Sequence, residues 1–227
     1  MGSVSSIAKV TNAMQVVAAA QHERLRGRVQ SVRAFAESSW AMLCHLAASS
    51  EELQGEAVLY GRPQVRSVAL IVVSSDRGMA GGYDQAVVSE AQRWLATQSM
   101  PIRLITIGSY GRDAMARLGF EAHKDLRLPT DISLAWASPI ADELLQGFAD
   151  GLVDGAYLTY TECHGGARFS VVTRQLLPVA VTEVERRQYI HEPEPSVLFS
   201  ELLPIVLSAQ VYQAVLESMA SETAARM

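Results

Sequence analysis

Lysine is almost missing from this chain of 227 residues. Lys9 and Lys124 are the only two, and arginine supplies the other strongly basic side chains. Cysteine is as scarce: Cys44 and Cys163 stand far apart without CxxC spacing, which excludes a disulfide framework and a paired redox motif. A reduced, cytoplasm-facing protein is therefore expected. There is no basic surplus. With 19 basic and 24 acidic residues the formal charge is −5, which argues against a general nucleic-acid binder. Uninterrupted apolar runs are short, the longest being Val68–Val73, so no segment of the roughly 20 apolar residues that cross a bilayer is expected, and no direct membrane insertion. The N-terminus lacks the charged and apolar regions of a secretory signal. What remains, 49% hydrophobic and 19% charged residues, is a globular composition.

Proline is also absent from Val4 to Leu59, where Gly27 and Gly55 are the only helix-weakening residues. Apolar side chains recur there at Ile7, Val10, Met14 and Val17, then at Leu25, Val29, Val32, Ala36, Leu43 and Leu46. Steps of three and four predict one long helix with a single apolar stripe. At ~1.5 Å per residue this is a rod of roughly 75–80 Å, too long to bury its own stripe without a partner helix.

From Val65 to about Val184 the period changes. Val65–Ser74 reads as a strand apolar on both faces, as in a parallel sheet. A glycine-rich turn, a helix over Gln85–Thr97, a strand over Pro101–Ile107 and a short helix over Tyr110–Leu118 follow. Pro139–Ala149 is helical, and Tyr157–Cys163 and Phe169–Leu177 read as a hairpin joined through His164 to Arg168. After an extended prelude at Glu192–Pro195, Ser196 is the expected N-cap of a last helix. Its apolar positions are Leu198, Leu202, Ile205, Ala209, Tyr212, Val215 and Met219, and Pro204 is expected to kink or restart it.

The two helical ends supply each other's missing partner. The expected fold is α/β plus coiled coil: an antiparallel two-helix coiled coil over residues 1–60 and 191–227, with an α/β domain inserted over 61–190. About 30 residues of final helix cannot cover so long a rod, so other chains, or residues outside the sequence, would cover the rest.

The most specific segment is Ser74–Asp84 (SSDRGMAGGYD), between a strand and a helix. It reads either as a phosphate-binding loop or, better, as a tight βα connection whose glycines allow close packing. It matches neither GxGxxG nor GxxxxGK[ST]. Asp76 and Arg77 could form an active-site pair, although loop capping is the commoner use. No catalytic nucleophile motif occurs. Cys163-His164 lacks a second ligand pair with zinc spacing. Arg24, Arg26, Arg28 and Arg33 either face an acidic partner or form a solvated helix face. Around Ala18-Ala19-Ala20 the rod is slim, and Asn12, Gln15 and Gln21 leave it uncharged, which suits insertion into a cavity made by other chains.

Ile7–Gln21 (IAKVTNAMQVVAAAQ), Val72–Tyr83 (VVSSDRGMAGGY), Gln175–Pro178 (QLLP) and Tyr189–Met227 together identify a resemblance. The chain resembles the gamma subunit of F-type ATP synthases, the central stalk of a rotary motor. The resemblance implies a coiled coil around an inserted Rossmann-like α/β domain, and no catalytic residues, metal or cofactor of its own. It implies partners in the alpha and beta subunits, the epsilon subunit and the membrane rotor ring of c subunits. It places the chain peripherally on the cytoplasmic face of a bacterial plasma membrane, coupling proton-driven rotation to conformational change in the beta subunits. Carried over position by position, it assigns rotor–stator contact to Asn12, Ala13, Met14, Val17 and Ala18 and to Ser221, Glu222 and Arg226. Asp76, Arg77, Gly78, Gly81 and Gly82 become a structural loop. Asn12, Gln15 and Gln21 stand where the family has lysines, which implies weaker contact with acidic beta-subunit loops. By the family's pattern the chain also begins about a dozen residues late and stops just after Arg226, as a fragment, a divergent paralogue or a shortened rotor would. The competing reading is a nucleotide- or anion-binding α/β module with a helical oligomerisation arm. A third is an inactive relative occupying the stalk position.

Overall fold

The elements follow one another as α1 (Gly2–Ser49), α2 (Ala57–Tyr60), β1 (Val68–Val73), α3 (Tyr83–Ala96), β2 (Ile102–Ile107), α4 (Ser109–Arg117), β3 (Ala122–Leu126), α5 (Leu134–Ala149), β4 (Ala156–Cys163), β5 (Phe169–Leu177) and α6 (Pro195–Arg226). The structure, a computed structural model, describes the chain except residues 1, 54, 79, 165–167 and 180–191 and the side chains of residues 2–10 and 14. The expected hairpin turn at 165–167 and the Met14 side chain thus lie outside the described residues.

The sheet runs β3-β2-β1-β4-β5, parallel except for β5, which is antiparallel to β4. All six residues of β1 are buried. Ala69, Ile71 and Val73 join the core under α5 and α6, while Leu70 and Val72 join the opposite core under α3 and α4. A strand with helices on both faces must be apolar at every position, which is why VALIVV was readable. β3 (AHKDL) was not: it is a sheet edge, only half buried and mostly polar.

α1 has 48 residues, about 72 Å of helix. Its buried seam, Ala18, His22, Leu25, Val29, Ala36, Leu43 and Ala47, lies against α6 and the core beneath it. His22 Nδ1 meets Ala220 O at 3.0 Å, and Gln210 Nε2 donates to Ala36 O at 3.0 Å. Rising numbers on one helix meet falling numbers on the other, so the pair runs antiparallel.

Four expectations need correction. α1 stops at Ser49 rather than Leu59, because Leu53 and Leu59 turn into the core and Gly55 takes φ +90° between them. α5 begins at Leu134, a turn before Pro139, because Ser133 caps it by accepting Trp136 N–H. α6 begins at Pro195 with Glu194 at the N-cap, since a proline in the first turn forfeits no helical bond. α6 also continues through Pro204 without restarting. Burial of Leu203, Val206 and Leu207 on either side outweighs the interior proline, a penalty of about 3 kcal/mol.

α6 is by length and composition apolar enough to cross a membrane, contrary to the expectation from uninterrupted runs. More than half of its most apolar window is buried, and between Val206 and Ser218 every residue except Tyr212 is buried. It packs on α1, α5 and β4, so protein covers it on most sides, and its buried polar residues Gln210, Gln213, Glu217 and Ser218 are hydrogen-bonded within that cover.

The segment entering β1 is stapled by Asp154, whose buried carboxylate accepts from Arg62 Nη1 at 2.8 Å, Arg66 N at 2.7 Å and Ser67 N at 3.3 Å. Burial alone would push its pKa up. The Arg66 N–H, the Arg62 guanidinium and the Ser67 N–H outweigh burial and hold it below the ordinary aspartate range.

Candidate functional site

The glycine-rich loop leaves β1 and meets the last turns of α6. Ser74 Oγ accepts Gly111 N–H at 2.8 Å and donates to Gly108 O at 3.1 Å. A Cβ on Gly108, whose φ is +100°, would stand 2.2 Å from Ser74 O, so only glycine fits there. Asp76 Oδ1 accepts Ser109 N–H and Oδ2 accepts Leu128 N–H, both at 2.9 Å. Asp84 accepts Ser75 N–H at 2.9 Å and Ser75 Oγ–H at 2.7 Å. Asp76 and Asp84 are therefore loop anchors. Of Gly78, Gly81 and Gly82, only Gly81 needs positive φ, at +56°.

This chemistry is wrong for an anion. The first amides of α4 are already taken by Asp76, Ser75 O and Ser74 Oγ, and Asp84 lies in the first turn of α3. A phosphate at either helix start would meet an acceptor or a carboxylate instead of free donors. The space beyond β1 and β4 is also occupied from within. Arg226 donates to Gly78 O at 2.9 Å and Arg77 O at 2.6 Å, and pairs with Glu222 at 2.6 Å. Thr161 N–H donates to Ser218 Oγ at 3.2 Å, and Tyr83 is buried beside them. Burial raises the Glu222 pKa, Arg226 opposes that, and Asp84 and Asp76 add to the rise. Burial likewise raises the Tyr83 hydroxyl.

The contact residues implied by the resemblance fall into two groups. Asn12, Ala13 and Val17 are exposed on α1, Val17 at 56% and its neighbour Val16 at 65%. Ala18 is buried against the pair. Ser221 is buried at 1% exposure, and Glu222 and Arg226 are largely covered, turned toward the loop. Tertiary packing brings Arg226, Arg77 and Gly78 together, a meeting that no local spacing signals.

The arginines of α1 face acidic residues of the same chain. Arg28 binds Asp131 at 2.7 Å, Ile132 O and the Tyr212 hydroxyl at 3.0 Å, and Arg24 reaches Asp131 at 4.0 Å. Arg33 binds the buried Glu217 at 2.8 Å. Glu217, which the sequence reading missed, also accepts Cys163 N–H at 2.9 Å and Gln213 Nε2 at 2.8 Å. Its only signal was an acidic residue one turn from Gln213 in a mixed helical stretch. Cys44 and Cys163 are buried free thiols. Among the described residues no group of three His, Cys, Asp or Glu side chains is placed to hold a metal.

Known proteins bear on what such an arrangement serves. The family described as ATP synthase matches residues 1–227. The ATP synthase gamma chain of Paracoccus denitrificans is 33% identical, in an alignment spanning all of this chain and 82% of that one. That of Hyphomonas neptunium is also 33% identical, with the same coverage. Among solved structures, the central stalk and c-ring of the Tetrahymena thermophila mitochondrial ATP synthase contains a chain of similar fold, with TM-score 0.71, 22% identity and 96% of each chain covered. A rotor chain of the Euglena gracilis mitochondrial ATP synthase aligns with TM-score 0.54 and 16% identity, over 95% of this chain and 88% of that one. Matched along its whole length by the family and by relatives at a third identity, the chain belongs to the gamma-chain family of the ATP synthases.

Proposed function

We propose that this chain is the rotor shaft of a proton-translocating F-type ATP synthase, peripheral on the cytoplasmic face of a bacterial plasma membrane. The chain divides into coiled-coil parts at 1–60 and 191–227, whose helices α1 and α6 pair antiparallel, and a Rossmann-like domain at 61–190. The strand order β3-β2-β1-β4-β5 supports that description. The shaft stands among alternating alpha and beta subunits, and the α/β domain rests with epsilon on the ring of c subunits. The observation that carries the reading is α1 itself, a helix about 72 Å long that exposes Asn12, Ala13, Val16 and Val17 beyond its buried seam.

The mechanism is a shift of populations. A turning shaft presents different faces to each beta subunit, and each face stabilises one conformation of that subunit over another. Bond chemistry stays in the beta subunits, so the chain needs no catalytic residue of its own. Asn12, Ala13, Met14 and Val17 form the α1 part of the rotor–stator contact, with Ala18 buried behind them where the pair packs closely. On α6, Arg226, paired with Glu222, serves it indirectly by bonding Arg77 O and Gly78 O, while Ser221 lies buried within the helix pair. The test is reconstitution with the alpha and beta subunits of the same organism, with a filament attached to this chain. ATP-driven stepwise rotation is the expected result. A chain that binds nucleotide tightly by itself and does not assemble with those subunits would overturn the reading.

A further inference from the structure

Torque reaches a shaft only if the body that receives it cannot slip around the helices that deliver it. Most of the contact between α6 and the sheet is apolar, and apolar contact has no preferred direction. Directional bonds cross from helix pair to α/β domain at Arg28, Ser218 and Arg226, and several converge on one carboxylate at Glu217, which is 1% exposed. Its Oε1 accepts from Arg33 Nε at 3.0 Å and Gln213 Nε2 at 2.8 Å, and its Oε2 accepts from Cys163 N at 2.9 Å and lies 2.8 Å from Arg33 Nη2. Arg33 also donates to Cys163 O. One carboxylate thus binds α1, its own helix α6 and the end of β4.

Such a pair, with Glu217 buried and Arg33 32% exposed, is a poor device for stability, because taking the carboxylate out of water offsets much of the attraction. What it supplies is register: the bonds close only at one rotation of α6 about its axis and one height against β4. We propose that Glu217 is the positioning residue that locks the helix pair to the α/β domain, so that the two turn as one body. This deepens the rotor reading and rests on it.

The test uses the assembled complex in membrane vesicles, with ATP hydrolysis and ATP-driven proton uptake measured on one preparation. Glu217→Gln keeps an acceptor for Cys163 N–H and removes the charge. Hydrolysis is expected to persist, while the protons pumped per ATP fall below the wild-type ratio. The double variant Arg33→Met with Glu217→Gln removes both charges together, so it is expected to unfold near the wild-type temperature and still to lose coupling. Should Glu217→Gln fail to accumulate, that double variant and Arg33→Met alone decide the matter. Pumping per ATP unchanged in the variants that assemble, or lost only in proportion to the amount assembled, overturns the lock. A wild-type complex that hydrolyses ATP without pumping would overturn the rotor reading and the lock with it.

Discussion

α1 and α6 are partners in one antiparallel pair, yet they are built for opposite surroundings. α6 is covered on nearly every side, by α1, α5 and β4, and between Val206 and Ser218 only Tyr212 escapes burial. α1 is covered along one seam and open along the rest, with Val16, Val17, Phe35 and Met42 each at least half exposed. The composition follows the surroundings. A helix enclosed by protein has apolar residues on several faces and hydrogen-bonds its few buried polar ones, such as Gln210 and Glu217, whereas one covered on a single side keeps a stripe. α6 is thus the internal member that ties the pair to the sheet, and α1 the external member, whose open face the proposed function assigns to other chains.

Substitutions can break this contrast. The largest effect belongs to α6: Leu216→Ala, at a fully buried site, is expected to lose about 2–5 kcal/mol, whereas Val17→Ala on α1 should stay within about 0.5 kcal/mol. Urea unfolding of the two variants measures both, and equal losses would remove the distinction. Glycines give the next test. Gly108→Ala forces a Cβ against Ser74 O at positive φ and should cost about 3 kcal/mol or more. Gly27→Ala, mid-helix in α1 with nothing within 4 Å, should instead stabilise by about 0.5–1 kcal/mol. Opposite signs in the thermal midpoints confirm it.

The carboxylates Asp154 and Glu222 differ in sign. Asp154 has a depressed pKa, so its contribution is present above the ordinary aspartate range and lost as pH falls through the depressed value. Asp154→Asn should therefore flatten the acid limb of a stability–pH curve. Glu222 has a raised pKa, so its contribution is present below the ordinary glutamate range and lost as pH rises through the raised value. Glu222→Gln should remove that decline, the smallest change of the series. A decline that survives the substitution would place its origin elsewhere.

Legibility in the sequence tracked how many neighbours a residue needs to explain it. β1 was readable because burial on both faces leaves no polar position, and α1 because its stripe repeats over many turns. β3 was not, since AHKDL earns its strand conformation from pairing with β2 alone. Loop capping was the commoner reading of Asp76 from turn chemistry, and its carboxylate accepts Ser109 and Leu128 N–H; Asp84, which anchors Ser75, was not singled out. Arg33 looked like a member of a solvated arginine run. Its partner Glu217 lies 184 residues away, where no window of sequence reaches.

Pattern along the chain was enough to determine the alternation of helix and strand in the middle, the two helical ends and their need for one another. Those follow from local period and from the free energy of burying a continuous stripe. Folding in three dimensions decided which helix is enclosed, that Arg226 closes over the glycine-rich loop, and that Arg33, Glu217 and Cys163 meet. These depend on side chains distant in the chain converging within hydrogen-bonding reach, and directional bonds of a few ångströms leave no trace in local periodicity.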